Sequence, residues 1–585
     1  GGNPPAASAA SYWTTNAYYD AVNSRWEYIA GDEASRFAQG DGALAYYNAG
    51  SGSADGAITW TERFRVTAAG NLGVGTDTPT DAAHELNTAI LNVGILTATT
   101  LYGDGSNLTN LVAGLTTDTY RNTSGGISAL DSMSAGNATD NTAVGYDAGT
   151  AITTGDYNTA FGSYSLAATT TAANNTAVGY NALKTNTTGA GNVAVGKGAL
   201  DANTTGAYNV AIGRDALGAN TEGGSNIAIG VGALDAQTDG ADNNVAVGHF
   251  ALSANTTADN GVAVGYNALN ANTTGGSNIG VGYGALLVNT TGAQNVAVGR
   301  NALDANTTAD NNTAVGYAAL GANTTGTYNV ALGANALDAN TDANHNTAVG
   351  YDALTANTTG ADNTSVGKSA LAACTTGSNN TAVGTNSLLL ITTNGECAAF
   401  GEEALKNNTV GNCTALGWWA GRANTTGARL TAVGRAALHA NTTGDDNTGI
   451  GAGALETNTT GSDNTAVGKW ALTANTTASN NIAIGYQALV ANTTGTTNVA
   501  IGVIALDANT TGGNHVAIGY NALGANTTAS NNVAVGYNCL SANTGGQYSV
   551  ALGTNALLAS NADYNTGVGY NAGTAITTGG KNTAL

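Results

Sequence analysis

The cysteines of this chain are the residues whose spacing most directly suggests chemistry. Cys397 and Cys413 each lie four residues before a glycine of a repeated motif, at Gly401 and Gly417. If successive copies of the motif stack at the usual strand spacing of about 4.8 Å, the two Cα atoms lie within the range that a disulfide tolerates. The spacing therefore predicts a Cys397–Cys413 disulfide or two inert thiols, and it leaves both open. An oxidising exterior would suit the disulfide.

The remaining reactive side chains form no catalytic or metal-binding pattern. The five histidines are scattered, and no two have the spacing of metal ligands. The glycine-rich runs lack the Gly-Lys-Ser/Thr of a phosphate loop, and no Gly-x-Ser-x-Gly elbow joins a strand to a helix. Paired carboxylates assembled across chains, as in a depolymerase, are the enzymatic alternative. Because no repeat interval exceeds 18 residues, an inserted active site is not expected, and we predict no enzymatic activity, cofactor or metal.

The motif that surrounds the cysteines recurs through three quarters of the chain. Its anchor is the glycine of an "AVG" core, which we number position 0, and these glycines run from Gly145 to Gly569 in 26 copies. Of the 25 intervals, 22 are 17 residues long; the exceptions are one of 18 (Gly230 to Gly248) and two of 16. Such a fixed period is the signature of stacked repeats.

The consensus predicts an all-β parallel β-solenoid of about 26 coils. It reads Asn(−4)-Thr/Val-Ala-Val/Ile-Gly(0)-x-x-Ala-Leu(+4)-x-Ala-Asn(+7)-Thr-Thr-Gly-x-x. Helices disfavour these residues, whereas "TAVG" and "ALxA" are short strand candidates bounded by turn residues. Two short strands and two turns make one coil, and stacking 26 coils gives a length of about 125 Å.

Three columns of the repeat predict its interior. Position +4 is Leu in 23 copies, position −4 is Asn in 20 and position +7 is Asn in 19. Stacked Leu makes an apolar spine, and stacked Asn can hydrogen-bond along the axis. We take these columns as structural ladders rather than ligand sites; examples are Asn175, Asn192, Asn209 and Asn226 at −4, and Leu183, Leu200 and Leu217 at +4.

Two columns also invite functional interpretations. Position +7 begins an Asn-Thr-Thr triplet in 15 copies, which is formally an N-glycosylation acceptor and equally a turn sequence. Candidate acceptors are Asn186, Asn203, Asn255, Asn272, Asn289, Asn306, Asn323 and Asn357. Position +1 is often Tyr, and such a stripe either packs along the rod, which we favour, or stacks on sugars. Its candidates are Tyr266, Tyr351, Tyr486, Tyr520 and Tyr537.

Composition and charge exclude several partner classes. The net charge of −22 argues against nucleic acid and against an anionic membrane surface. No apolar run reaches the roughly 18 residues of a membrane helix. Both residue parities of "TAVG" are apolar or small, so one strand face is expected to pack against neighbouring chains. Self-association is therefore the predicted interaction of the repeat.

The chain divides into three predicted regions. Residues 1–80 hold three of the six Trp and read as a small β-rich domain for attachment or joining, with strands at "RWEYIA" and "ITWTERFRV". Residues 81–130 read as a connector, in which "AAHELNTAILNVGIL" allows a helix or a strand. Residues 131–585 form the solenoid shaft.

The repeat "N-x-A-V/I-G-x-x-A-L" is similar to repeats in the head domains of trimeric autotransporter adhesins, which form β-rolls in a three-chain bundle. "ITWTERFRVTAAGNLGVGTDTP" (58–79), "LYGDGSNLTNL" (101–111) and "NTAVGYDAGTAITTGDYNTAFG" (141–162) resemble segments of bacteriophage tail-fibre proteins. These resemblances imply a homotrimeric fibre, extracellular or carried on a virion.

Within that implication, the expected function is a trimeric phage tail-fibre shaft that positions a receptor-binding tip for host attachment. Its expected partners are its own copies, other fibre or baseplate proteins through the N-terminal region, and host-surface glycans. The first alternative is a cell-surface adhesin or glycosylated extracellular filament. A third hypothesis is an ice-binding solenoid that uses its Thr rows, although these Thr pairs lie beside a turn rather than along a strand.

Overall fold

The computed structural model describes residues 11–15, 17–20, 22–23, 25–28, 34–40, 43–49, 53–66, 72–74, 116–133, 137–238 and 240–585. The chain separates into two compact units, Gly1–Val112 and Ala113–Leu585. The segment at 82–96, for which the sequence allows a helix or a strand, lies outside the described residues, as does 101–111.

The first unit contains short antiparallel sheets. Its strands are β1 (Ser11–Thr15), β2 (Ala17–Asp20), β3 (Arg25–Tyr28), β4 (Ala34–Gly40), β5 (Ala43–Ala49), β6 (Thr61–Val66) and β7 (Leu72–Val74). Five of them form a sheet in the order β1-β4-β5-β6-β7, and β2 pairs with β3. The strands expected in "RWEYIA" and "ITWTERFRV" are confirmed as β3 and β6. Aromatic rings hold this unit together: the Arg36 guanidinium lies 4.5 Å from the Tyr47 ring centroid and 4.7 Å from that of Trp60.

The second unit is a parallel β-solenoid of about 27 turns, which confirms the predicted fold class. Its strands are β8 (Thr116–Thr117), β9 (Thr123–Gly125), β10 (Thr142–Val144), β11 (Thr159–Phe161), β12 (Thr176–Val178), β13 (Val193–Val195), β14 (Val210–Ile212), β15 (Ile227–Ile229), β16 (Val245–Val247), β17 (Val262–Val264), β18 (Ile279–Val281), β19 (Val296–Val298), β20 (Thr313–Val315), β21 (Val330–Leu332), β22 (Thr347–Val349), β23 (Thr364–Val366), β24 (Thr381–Val383), β25 (Ala398–Phe400), β26 (Thr414–Leu416), β27 (Thr431–Val433), β28 (Thr448–Ile450), β29 (Thr465–Val467), β30 (Ile482–Ile484), β31 (Val499–Ile501), β32 (Val516–Ile518), β33 (Val533–Val535), β34 (Val550–Leu552), β35 (Thr566–Val568) and β36 (Thr583–Ala584).

These strands form one ladder in chain order. The hairpin of β8 and β9 is antiparallel, and from β9 onward each strand pairs in parallel with the next, with equivalent repeat positions in register. Ala194 thus faces Ala177 on one side and Ala211 on the other. The ladder has one more coil, at residues 122–130, before the first "AVG" motif. The motif count does not include this coil because its core reads "TSGG".

Each coil contains one strand and not the two expected. The "ALxA" segment is a turn, in which Leu183, Leu200 and Leu217 have φ of 50°, 52° and 51°. A left-handed backbone is strained for Leu by about 1 kcal/mol or more, but here it turns the side chain into the interior, where all three are fully buried. The turn still joins the ladder between coils, since the Leu183 N–H donates to the Ala199 carbonyl at 2.9 Å.

The core is a thin column of Leu and Ala. The central strand residue points inward, as with Ala177, and it packs with the Ala and Leu of the following turn. Full burial of one Leu contributes roughly 2 kcal/mol, and the column repeats this in nearly every coil. The strand ends at position 0 because that glycine has φ near +135°, a conformation that L side chains rarely adopt.

We expect Gly316→Ala to destabilise the solenoid by at least about 2 kcal/mol, because left-handed strain adds to a direct collision. Gly316 has φ of +138°, and a Cβ there would lie 2.5 Å from the carbonyl oxygen of Gly333 in the next coil. Urea unfolding followed by circular dichroism measures the change. Gly276→Ala is the matched control, since its Cβ would meet nothing closer than 3.4 Å. Equal unfolding curves for the two variants would contradict this account of the glycine column.

Candidate functional site

The Asn column at −4 ties each coil to both neighbours. The backbone N–H of Asn209 donates to Asn192 Oδ1 at 2.9 Å, and Asn209 Nδ2 donates to the Gly223 carbonyl at 2.8 Å. Asn175, Asn192, Asn209 and Asn226 are all fully buried. A buried amide without partners costs about 1–3 kcal/mol, so these two bonds favour Asn in most coils of the column.

His515 shows how another side chain meets the same partners. It takes an Asn position at −4, where its Nδ1 accepts from the Asn532 N–H at 3.2 Å and its Nε2 lies 2.6 Å from the Ala529 carbonyl oxygen. The ring therefore supplies one acceptor and one donor, as the amide does. Burial lowers the pKa of His515, which favours this neutral form. The arrangement assigns His515 a structural role in the column.

The Asn column at +7 forms a side-chain ladder. Asn306 Nδ2 donates to Asn289 Oδ1 of the preceding coil at 2.7 Å and to the Ala309 carbonyl of its own turn at 3.1 Å. Where the coil is one residue longer, Gln237 takes the position and reaches the Ala241 carbonyl at 2.7 Å, four residues ahead rather than three. The additional methylene of the Gln side chain thus spans the additional residue of the longer coil.

The interpretation of position +7 as a glycan acceptor is incompatible with the folded coil. All eight candidate side chains are at most 1% exposed, and the Nδ2 of each donates a hydrogen bond inside the solenoid: Asn186, Asn203, Asn255, Asn272, Asn289, Asn306, Asn323 and Asn357. A glycan is attached through that nitrogen, so it would require both a free N–H and a path to solvent. The Asn-Thr-Thr sequence serves the turn instead.

The first of the two threonines in this triplet also forms a hydrogen bond with the next coil. The Oγ1 of Thr187 donates to the Thr204 carbonyl at 3.0 Å, and Thr204 does the same with Thr221 at 3.0 Å. The first Thr row therefore directs its hydroxyls along the axis, and the second row is the exposed one, as at Thr188.

Cys397 and Cys413 are both free, buried thiols, so the structure has the second of the two alternatives. The side chains are neighbours: hydrogen bonding with Cys413, together with burial, raises the pKa of Cys397. Cys413 Sγ lies 3.5 Å from the carbonyl oxygens of Gly411 and Gly427. Here two thiols replace two Asn of the −4 column and retain weaker contacts with the same kind of acceptor.

The outer face of the strands is apolar over long stretches. The residues at −3 and −1 point outward, and from β13 to β19 every one of them is Val or Ile. Ile227 and Ile229 are each 37% exposed, whereas Ala228 between them is fully buried. A second such stretch runs from β30 to β34, where Leu552 is the only exception. Solvated proteins rarely expose a continuous apolar strip of this length, which makes this face a candidate interface.

The tyrosines at +1 lie in one exposed column but form short stacks rather than a continuous stripe. Tyr266, Tyr351, Tyr486, Tyr520 and Tyr537 are 42–52% exposed. The longest run covers five successive coils: His249, Tyr266 and Tyr283 stack with centroid separations of 5.6 and 5.2 Å, and Arg300 lies 5.6 Å from Tyr283 and 6.0 Å from Tyr317. Tyr520 and Tyr537 form a separate pair at 5.1 Å.

The structure also has a second aromatic column, at position −5 of the repeat, which the sequence analysis did not predict. Tyr328 stacks on His345 at 5.3 Å, and Tyr548 stacks on Tyr564 at 5.1 Å. Its signal in the sequence is an aromatic residue just before the −4 position, as in "TYNVALG". The solenoid therefore presents two aromatic columns as well as its apolar strand face.

The described residues contain neither a metal-binding cluster nor a membrane-spanning helix. Within the described ranges, no group of three or more His, Cys, Asp or Glu could hold a metal ion. No helix in that part of the chain is long and apolar enough to cross a bilayer. Comparison with protein-family models, with curated proteins and with solved structures finds no match.

We expect thiol reagents to react with this protein only after it unfolds. Burial raises the pKa of Cys374 to about 11, so at about pH 8 only about a thousandth of it is thiolate, against about a tenth for an ordinary thiol near pKa 9. The measurement is a colorimetric thiol count in buffer and in concentrated guanidinium.

The unfolded protein should yield all four thiols. A count of two without reductant, restored to four by reduction, would show instead that Cys397 and Cys413 form a disulfide. Rapid reaction of the native protein would contradict the burial of these side chains.

Proposed function

We propose that this chain is a structural extracellular fibre, most specifically the shaft of a trimeric phage tail fibre that positions a receptor-binding tip for host attachment. The observation that supports this most directly is the uninterrupted parallel ladder from β9 to β36. Each coil extends the solenoid by about 4.8 Å, and repetition of one unit gives length without any further design. A shaft needs length and stiffness, and it needs no cavity.

Stiffness follows from the columns inside the solenoid. Backbone hydrogen bonds, both Asn ladders and the Thr hydroxyls all run along the axis, so adjacent coils are joined at several points around the turn. Bending would open these bonds on one side of the coil. Since buried amides are costly to leave unpaired, the ladders resist bending better than an apolar core alone.

Self-association is supported by the Val and Ile on the outer strand face. Two outward columns of aliphatic residues extend over seven coils between β13 and β19, and covering them recovers about 25 cal/mol for each Å² of apolar surface removed from water. Three copies packed through this face would bury it along the axis of the bundle. We propose this arrangement for the trimer, with the N-terminal unit joining other fibre or baseplate proteins.

The same ladder would also serve a cell-surface adhesin, which stays the alternative proposal. The glycosylated form of that alternative loses its support, because the candidate acceptors are buried. The ice-binding hypothesis also weakens, since the first Thr row donates its hydroxyls along the axis. Contact with host glycans would fall to the exposed aromatic residues.

We expect the native chain to have a mass about three times 57.3 kDa by light scattering. Replacing three outward residues in successive coils, Val264→Lys, Val281→Lys and Val298→Lys, should shift the mass toward the monomer. Burying an unpaired charge at such an interface is strongly unfavourable.

The matched control places three lysines elsewhere on the same coils, as Thr274→Lys, Thr291→Lys and Thr308→Lys. These side chains lie in the exposed Thr row, away from the strand face, so the control should keep the native mass. A monomeric native chain would refute the trimer, and a Val-to-Lys variant that stays trimeric would exclude this face as the interface.

A further inference from the structure

The repeat pattern of the solenoid is most irregular between residues 397 and 440. Three successive coils lose the Asn at −4, where Cys397, Cys413 and Leu430 stand instead, and the interval from Gly401 to Gly417 is one residue short. The same coils carry two of the three Trp of the solenoid and four of the chain's 16 Lys and Arg. In a chain with only 9% charged residues, this local concentration marks a distinct surface.

The inner layer of this surface is a fixed ion-pair cluster. The Glu403 carboxylate accepts from Lys406 Nζ at 2.6 Å and from Arg422 Nε at 2.6 Å. The hydrogen bond from Lys406, and the charges of both cations, hold the pKa of Glu403 below its usual value. The Arg422 guanidinium in turn lies 4.8 Å from the Trp419 ring centroid. These contacts immobilise Trp419.

Trp419 then supports the second indole. Its ring stacks on that of Trp418 with centroids 3.7 Å apart and planes at 18°, and the His439 ring lies 5.5 Å away from Trp419. His439 is partly buried, its Nε2 has no hydrogen-bond partner among the described residues, and burial lowers its pKa. Trp418 is therefore held in place by other rings rather than by a mobile loop.

The outer layer is open and charged. Glu402 and Arg435 occupy the same column as Trp418, one coil before and one coil after it, and both are exposed. Neither forms an ion pair with any residue in the described part of the chain, although Arg435 lies 5.7 Å from the Trp418 ring centroid. Two coil steps separate them, which is about 10 Å along the axis.

We propose that Glu402, Trp418 and Arg435 form a lateral binding site for a hexopyranose unit of a surface polysaccharide. A pyranose ring presents C–H groups on its face and hydroxyls around its rim. The negative face of an indole attracts such C–H groups, while a carboxylate accepts from hydroxyls and a guanidinium donates to them. The column spans one or two rings of a sugar chain that runs along the fibre.

The charges of the site separate this ligand from other classes. A simple anion would meet Arg435 but would be repelled by Glu402, and nucleic acid would in addition face a chain of net charge −22. An apolar partner would leave both charges buried and unpaired. A neutral polyhydroxylated ligand uses both charges and the ring between them. The site rests on the proposed surface fibre for its biological setting, but its geometry depends only on the solenoid.

The test is binding of the full chain to an array of oligosaccharides that covers hexoses, N-acetylhexosamines and hexuronic acids, followed by calorimetry with the best ligand. The native chain should bind at least one hexose or N-acetylhexosamine sequence. Trp418→Ala should weaken that binding about 10- to 100-fold, the range for truncating an aromatic anchor. Glu402→Gln and Arg435→Gln should each weaken it by less.

Trp470→Ala is the matched control, because Trp470 is another partly buried indole of the solenoid, with Lys469 4.0 Å from its ring centroid. It should bind as the native chain does, and circular dichroism melting checks that both Trp variants fold. The proposal fails if the native chain binds no sugar, binds only hexuronic acids, or binds equally well after Trp418→Ala. Light scattering of the same samples reports the trimer, so a failed site and a failed fibre are told apart.

Discussion

The buried amides of the −4 and +7 columns bond to amides one coil away, and this requirement sets the period of the solenoid. Asn at −4 accepts through Oδ1 from the Asn one coil ahead, and its Nδ2 donates to a carbonyl 14 residues ahead. An inserted or deleted residue would displace both bonds, each of which costs about 1–3 kcal/mol if lost. Two of the intervals that depart from 17 show how the requirement is met: Gln237 lengthens the reach in the long coil, whereas in the short coil between Gly401 and Gly417 Asn408 bonds to the Val410 carbonyl, only two residues ahead.

The sequence predicted the ladder well because its columns are visible without a structure. Leu at +4 and Asn at −4 and +7 recur at a fixed period, and burial of polar and apolar columns at one spacing admits little besides a solenoid. The prediction of a second strand in each coil was wrong, and the reason is physical. Leu strongly disfavours a left-handed backbone, so "ALxA" reads as extended, and only interior packing repays the strain seen at Leu183. The coil before the first "AVG" was missed because it keeps the −4 Asn and +4 Leu columns but changes the core that served as anchor.

Surface chemistry was harder to predict than the interior. The Asn-Thr-Thr triplet satisfies a local motif, but whether its nitrogen is accessible depends on neighbouring coils, which the motif does not contain. The aromatic pairs raise the same difficulty: Tyr328 and His345 stack because they are 17 residues apart, and neither is unusual alone. For the thiols, proximity was predictable from the column, whereas the oxidation state was not.

The division between inside and outside also explains how a monotonous chain could carry a specific function. Interior columns cannot vary without breaking amide or Leu contacts in two coils, whereas position +1 is exposed, as at Tyr180, Lys197 and Arg214. Side chains there can change from Tyr to Lys to Trp without altering the ladder. A cluster such as Trp418 and Trp419 can therefore arise at one level of the solenoid, where Glu403 and Arg422 of adjacent coils fix it. Because the coils are stacked and not folded around a pocket, a site on the described solenoid surface is built along a column of equivalent positions, and an elongated ligand that lies parallel to the axis would match that geometry.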